Sequence, residues 1–127
     1  MDILKDAKIK ARKEHTCDLC GRPIHKDTIY FYKFIKDSET YSFKTHCHCE
    51  SILYYLCSLY GFEAMGKYEF NQACMQFLEE VVYPSNGLTP EQIKEKIYTY
   101  YDNQENCLKD IINYMNKHDN MSVSYEE

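Results

Sequence analysis

The chain lacks tryptophan, internal repeats, low-complexity tracts and any apolar run near 18 residues. Without such a run, a membrane-spanning helix is excluded. No charged-then-apolar leader follows Met1, so we also expect no secretory signal. Hydrophobic residues still make up 44% of the 127 residues, which is enough for a modest core. The composition therefore predicts one folded domain, or a small module with a helical extension.

Seven cysteines and a net charge of −5 narrow the choice of compartment and partner. An odd cysteine count without a leader favours a reducing cytoplasm, where thiolates bind metal rather than form disulfides. The negative charge argues against a general nucleic-acid binder. Acidic residues dominate the second half, whereas basic residues crowd the first 13 positions: Lys5, Lys8, Lys10, Arg12 and Lys13.

Two clusters of soft ligands are the most informative feature of the sequence. Cys17 and Cys20 are two residues apart and are followed by Gly21, which can adopt the positive φ of a tight turn. His46 and Cys49 are three apart, a spacing that puts both on one face of a first helical turn. Four such ligands close a tetrahedron around zinc and leave no open position. The sequence therefore predicts one structural zinc ion.

The second cluster, His46-Cys47-His48-Cys49, allows another choice of ligands. Cys47 with Cys49 is the main alternative to His46 with Cys49, and the side chain left over could face solvent or support a ligand. An iron–sulfur cluster is disfavoured because four well-spaced thiols are lacking. His15 and His25 are interpreted as surface residues. Three other cysteines lie on or beside apolar helical stripes and are interpreted as small buried hydrophobes: Cys57, Cys74 and Cys107.

Periodicity predicts a hairpin and then helices. Residues 28–35 and 41–45 are β-branched and aromatic and flank a polar turn, which is typical of two paired strands. Helical spacing then runs from about Cys49 to Gly61, and again from Phe70 to a stop at Pro84-Ser85-Asn86-Gly87. Thr89-Pro90-Glu91-Gln92 is a strong helix start with a capping box. Its stripe continues to about residue 117, either as one helix or as two.

A zinc knuckle, a hairpin and a helix carrying the last two ligands resemble a treble-clef zinc finger. Cys-x-x-Cys-Gly-x-x-Ile with His-x-x-Cys is also similar to a segment of small uncharacterised phage and prophage proteins. The resemblance covers residues 12–60 and implies an α+β fold with a treble-clef head. A small helical bundle would follow in residues 61–117. Residues 1–11 are expected to form a basic arm or short helix, and residues 118–127 a flexible tail.

These features favour a non-catalytic, zinc-stabilised interaction protein of the cytoplasm. The resemblance implies a phage-encoded inhibitor or modulator of a host protein or nucleoprotein, of anti-CRISPR or other anti-defence type. The alternative is a nucleic-acid-binding regulator, in which the basic arm, Arg22 and Lys26 hold phosphates and hairpin tyrosines stack on bases. An HNH-like nuclease is less favoured because residues 28–35 carry no histidine. A weak heptad beginning at Ile93 leaves monomer and homodimer open.

Overall fold

The computed structural model describes residues 2–36, 38–62, 66–99 and 104–125. The fold is α+β, with small antiparallel sheets between Asp2 and His46 and helices from Cys47 onwards. The strands are β1 (Asp2–Lys10), β2 (His15–Thr16), β3 (Pro23–Ile24), β4 (Ile29–Lys36) and β5 (Thr40–His46). The helices are α1 (Cys47–Tyr60), α2 (Lys67–Phe77), α3 (Tyr83–Ser85), α4 (Pro90–Tyr98) and α5 (Gln104–His118).

The predicted hairpin is confirmed as β4 and β5. Tyr30 pairs with His46 and Lys36 with Thr40 in an antiparallel ladder. The β-branched and aromatic residues of both strands suit a pleated, half-buried surface. The register matters for the site because it sets His46, the last residue of β5, beside the start of β4.

The first strand corrects a sequence prediction. Residues 1–11 were expected to be a basic arm or short helix, and this is wrong for Asp2–Lys10, which pairs antiparallel with β4. Ala7 and Ile9 are half-buried, while Lys8 and Lys10 are exposed. This alternation fits a strand at the edge of a sheet. The order of the sheet is β1-β4-β5, so the N-terminal segment belongs to the head.

The helix α1 follows β5 directly and ends as the sequence predicts. Gly61 adopts a left-handed conformation with φ of 77°, and its N–H donates to the carbonyl oxygen of Cys57 at 2.9 Å. Glycine accepts this conformation without a steric cost, which makes it the usual residue at this position. The end of α1 is therefore encoded locally.

A π-helical turn, Leu78–Val82, joins α2 to α3. Pro84 follows within α3, which ends at Ser85 with Asn86 as its C-cap, so the helix stop predicted at Pro84-Ser85-Asn86-Gly87 is confirmed. A proline ring clashes with the carbonyl group four residues earlier in a regular α-helix. The wider turn before Pro84 relieves that clash, so the helix passes the proline and ends at Ser85.

The capping box at the start of α4 is confirmed. The Thr89 hydroxyl accepts from the Gln92 N–H at 3.3 Å, and the Gln92 side chain accepts from the Thr89 N–H at 2.9 Å. The described residues form two helices, α4 and α5. Whether a single helix continues between them depends on residues 100–103, which lie outside the described ranges.

One apolar core connects the two halves of the molecule. It includes Leu19 and Ile24 of the head, Leu56 of α1, Phe70 of α2 and Leu108 of α5. Half-buried Ile93 and Ile97 pack against the same core. The α4 stripe that raised the possibility of a dimer is therefore used for packing within the chain. Among the described helices, none combines the length and apolar character that crossing a membrane requires.

Candidate metal centre

The first two candidate ligands lie on a tight turn between β2 and β3. The Cys17 N–H donates to the Arg22 carbonyl at 2.9 Å, and the Gly21 N–H donates to the Cys17 carbonyl at 2.9 Å. Gly21 has φ of 76°, which closes the turn as the sequence predicts. The Cys20 N–H faces the Cys17 sulfur at 3.5 Å. Backbone geometry thus brings both sulfurs to one side of the turn.

The second pair comes from the junction of β5 and α1. His46 ends the strand, and Cys49 lies in the first turn of the helix. At that end of a helix the backbone N–H groups and the helix dipole favour negative charge, including a thiolate. The turn is tied to β5 because the Asp18 N–H donates to the Lys44 carbonyl at 2.7 Å and the Lys44 N–H donates to the Asp18 carboxylate at 2.8 Å.

The structure brings the four predicted residues together in one buried cluster. Their donor atoms all lie within 4.8 Å of one another, and each residue is at most 4% exposed. His46 Nδ1 lies 3.3 Å from the Cys20 sulfur and 3.8 Å from the Cys49 sulfur. Ideal tetrahedral zinc with these ligands has sulfur–nitrogen separations of about 3.6 Å, from bond lengths of about 2.3 and about 2.1 Å. The group can hold a metal ion of that size.

The orientation of His46 also fits metal binding. Its Nε2 lies 2.9 Å from the Pro23 carbonyl oxygen, which can only accept, so Nε2 carries the proton and donates. Nδ1 is then the nitrogen that offers a lone pair to the cluster. A backbone carbonyl that fixes the tautomer of a ligating histidine is a common support in metal sites.

Hydrogen bonds and burial shift the pKa values of the side chains in the cluster. Hydrogen bonds from the Cys20 and Cys49 thiols lower the pKa of Cys17, whereas burial raises the pKa of Cys49. For His46, burial opposes the charged form, but hydrogen bonds to Cys17 and Cys20 outweigh it and raise the pKa to about 10. A cation that enters must displace these protons, so metal binding depends on pH.

Cys47 and His48 lie beside the cluster but have other contacts. The Cys47 sulfur lies 3.6 Å from the Ile29 carbonyl oxygen. The His48 ring stacks on His46 at a centroid distance of 4.7 Å and is 1% exposed. Burial, and then the charge of His46, lower the pKa of His48 to about 3. The structure therefore groups His46, not Cys47, with Cys17, Cys20 and Cys49.

The two remaining head histidines are outside the cluster. His25 is exposed, as predicted, and its Nδ1 lies 3.7 Å from a Glu14 carboxylate oxygen. His15 is half-buried rather than a plain surface residue, because its ring packs on Tyr30 at 5.3 Å. Neither side chain reaches the metal-binding group.

Sequence analysis missed the segment that covers the cluster. The Tyr125 ring packs on His48 at 4.3 Å, and its hydroxyl accepts from Arg22, which also contacts Glu105 at 2.9 Å. The Asn116 side chain anchors the segment by pairing with the N–H and carbonyl of Val123 at 2.9 and 2.7 Å. The flexible tail predicted for residues 118–127 is thus wrong as far as Tyr125. No local sequence pattern predicts the position of Tyr125, because its contacts with Arg22 and His48 join residues that are distant in sequence.

Comparison of the chain with protein-family models, with curated protein sequences and with solved structures gives no match. The resemblance to treble-clef and phage proteins therefore stays a prediction.

Proposed function

We propose that this protein is a non-catalytic binding protein whose head is held together by one structural zinc ion on Cys17, Cys20, His46 and Cys49. The observation that carries the proposal is that all four donors come from buried protein side chains. Three thiolates and one imidazole suit zinc among the common divalent ions. Four protein ligands fill its tetrahedral shell, so no position is left for water or substrate.

The order of elements supports a treble-clef head in residues 12–60. A knuckle formed by β2 and β3 supplies one pair of donors, and the hairpin β4–β5 followed by α1 supplies the other. This is the arrangement that the sequence resemblance implies. Strand β1 extends the same sheet and is an addition to the resemblance.

The surroundings of the cluster also favour binding over turnover. Within the part of the chain that the structure describes, no second group of three or more His, Cys, Asp or Glu residues is arranged to hold a metal. His48, the histidine that an HNH-like nuclease would need as a base, is buried between His46 and Tyr125. A general base must reach its substrate, and a ring in that position has no path to one.

The partner is proposed to be a host protein or nucleoprotein, as the phage resemblance implies, with anti-defence activity as the most specific form of the hypothesis. Charge is divided between the halves: residues 1–62 carry ten Lys or Arg and eight Asp or Glu, whereas residues 63–127 carry five and twelve. Net charge is thus +2 and −7. Surfaces of opposite sign can steer different parts of one nucleoprotein partner.

The experiment is native mass spectrometry of tag-free protein purified without added metal. We expect one zinc ion per chain, and the same spectrum reports whether the chain is monomeric or dimeric. A chain without metal, or with an iron–sulfur cluster, would contradict the structural-zinc proposal. Magnesium-dependent nuclease activity that His48→Ala abolishes would contradict the non-catalytic proposal.

A further inference from the structure

A groove opens on the side of the head formed by the end of β1, the chain after it and the turn before β4. It has a volume of about 1060 Å³. Its shape is fixed by backbone hydrogen bonds: the Ala11 N–H donates to the Thr28 carbonyl, and the Asp27 N–H donates to the Ala11 carbonyl, both at 2.8 Å. The groove is therefore part of the folded head. It is lined by Ile9, Lys10, Ala11, Arg12, Lys13, His15, Lys26, Asp27 and Tyr30.

Positive charge dominates the lining. Lys10, Arg12, Lys13 and Lys26 are all exposed, and Asp27 is the one carboxylate among the lining residues. In the described ranges none of these four cations forms an ion pair with a carboxylate. The neighbouring acid, Glu14, faces His25 at 3.7 Å. Four cations without acidic partners on one concave surface create a positive potential that attracts an anion.

The walls of the groove present no exposed aromatic ring on which a base could stack. Tyr30 is 4% exposed and packed against His15, so its ring face is not open to a base. Arg22, which sequence analysis counted with the basic surface, is engaged by Glu105 and Tyr125. The groove therefore offers charge for a backbone and lacks the stacking surface that reads bases.

The groove lies away from the acidic half of the molecule. Strand β1 packs mainly on β4, whereas α2 and α5 contact α1 and each other. The groove lining also belongs entirely to residues 9–30, within the half that carries net charge of +2. The negative charge of the whole chain is consequently concentrated elsewhere, and the Debye length of about 8 Å at physiological salt limits its reach.

We propose that this groove binds the phosphodiester backbone of a nucleic acid without selecting its base sequence. This inference rests on the proposed function, because His15, which lines the groove, lies only two residues before the proposed zinc ligand Cys17. It specifies the partner as the nucleic-acid component of a nucleoprotein or as free nucleic acid. Single-stranded DNA, RNA and duplex DNA share this chemistry, and the test separates them.

The test is fluorescence anisotropy of zinc-loaded protein with short labelled oligonucleotides of mixed sequence, one for each of the three forms. Four phosphate contacts on a single strand predict that log K falls with log salt with a slope of about −2.8. Between about 50 and about 200 mM salt, the affinity should fall about 50-fold. An affinity that does not change with salt, or no binding by protein that contains its zinc, would overturn the inference and leave the proposed zinc function standing.

A triple variant, Arg12→Ala with Lys13→Ala and Lys26→Ala, isolates the groove. Each lost contact costs about fivefold at about 0.1 M salt, so the triple variant should bind about 100-fold more weakly and with a shallower slope. The matched control changes three exposed lysines elsewhere, Lys36, Lys94 and Lys117, to alanine and has the same net charge. Equal losses in both variants would overturn the assignment to the groove.

Two further measurements separate phosphate binding from a folding defect and from general binding of polyanions. If the triple variant loses its zinc, or if its circular dichroism spectrum shows unfolding, the milder Arg12→Gln/Lys13→Gln variant replaces it. Its affinity for the oligonucleotides is expected to be about 25-fold lower. Polyglutamate serves as a polyanion without phosphate. Binding of polyglutamate as tight as that of the oligonucleotides would overturn the assignment to nucleic acid and point to an acidic protein segment.

Discussion

The two halves of this molecule bury different kinds of side chain. Among the described residues, the buried polar or charged ones all lie in the head, between Thr45 and Glu50. Glu50 accepts from Thr45 at 2.9 Å and pairs with Lys33. The buried side chains of the helical half are apolar, apart from the hydroxyl of Tyr83 and the thiols of two cysteines. The head thus adds a few directional contacts to its apolar core, whereas the helical half depends on packed volume alone.

The largest effect is expected when the head can no longer bind its proposed metal ion. Cys20→Ser removes one of the four donors and should abolish zinc binding. Structural zinc contributes about 10 kcal/mol or more to folding, whereas domains are stable by only about 5–15 kcal/mol, so the loss of stability should be large. The core is continuous from Leu19 to Leu108, so both halves should lose structure. Hydrogen exchange in α5, measured with zinc content, checks this.

The control for that variant is Cys47→Ser, which should retain zinc because the Cys47 sulfur faces Ile29 rather than the cluster. Loss of zinc in Cys47→Ser would make Cys47 a ligand after all. Full protection of α5 in Cys20→Ser would show instead that the helical half folds independently of the head.

The next effect belongs to the helical half. Phe77 is fully buried, with edge-to-face contacts to Tyr55 and Tyr114 at 5.6 and 5.4 Å. Phe77→Ala should lower the free energy of unfolding by about 4 kcal/mol without changing zinc content. Urea denaturation measures the loss. Tyr98→Ala, at a residue 80% exposed, should change stability by less than about 0.5 kcal/mol. Similar losses in both variants would contradict the division between packing and directional contacts.

A smaller effect tests the buried histidine by pH. Burial lowers the pKa of His48 to about 3 from 6.5. Below pH 6.5 the unfolded chain binds a proton that the native state excludes, so stability is lost as pH falls towards 3, by about 1.4 kcal/mol per pH unit. His48→Gln should make the slope shallower by that amount. Zinc content is checked at each pH, and identical slopes in the two proteins would contradict the assignment.

The smallest effect is at the start of α4. Thr89→Ala removes the hydroxyl that caps the Gln92 N–H and should cost about 1 kcal/mol. The midpoint of thermal unfolding reports this change, with Thr99→Ala at the exposed end of the same helix as the matched control. An equal shift in both variants would mean that the cap contributes nothing specific.

The features that could be predicted from the sequence are those encoded over short distances. The cysteine turn, the hairpin, the end of α1 at Gly61 and the Thr89 cap all depend on residues a few positions apart. Strand β1 was missed because Ile3, Leu4, Ala7 and Ala11 match helical spacing, while the alternation of Ala7, Lys8, Ile9 and Lys10 is short. Pairing with β4 decides between the two patterns, and that contact is tertiary.

The candidate site was likewise predictable only in part. The grouping of Cys17, Cys20, His46 and Cys49 follows from spacing, but the choice of His46 over Cys47 depends on the direction that each side chain takes. The Pro23 carbonyl fixes that direction for His46. The cover formed by Tyr125 and the groove beside Ala11 are products of the folded chain, and neither has a local pattern in the sequence.

The covering segment has a consequence for the order in which the chain acquires its structure during synthesis. The four donors lie within residues 17–49, so they leave the ribosome long before Tyr125 is added. Chains fold from the N-terminal side as they emerge, and the nascent head can take up its ion while His48 is still uncovered. If the proposed zinc ion binds at that stage, Tyr125 packs on His48 only after the ion is in place, and an ion that leaves the finished protein meets packing that was absent when it entered.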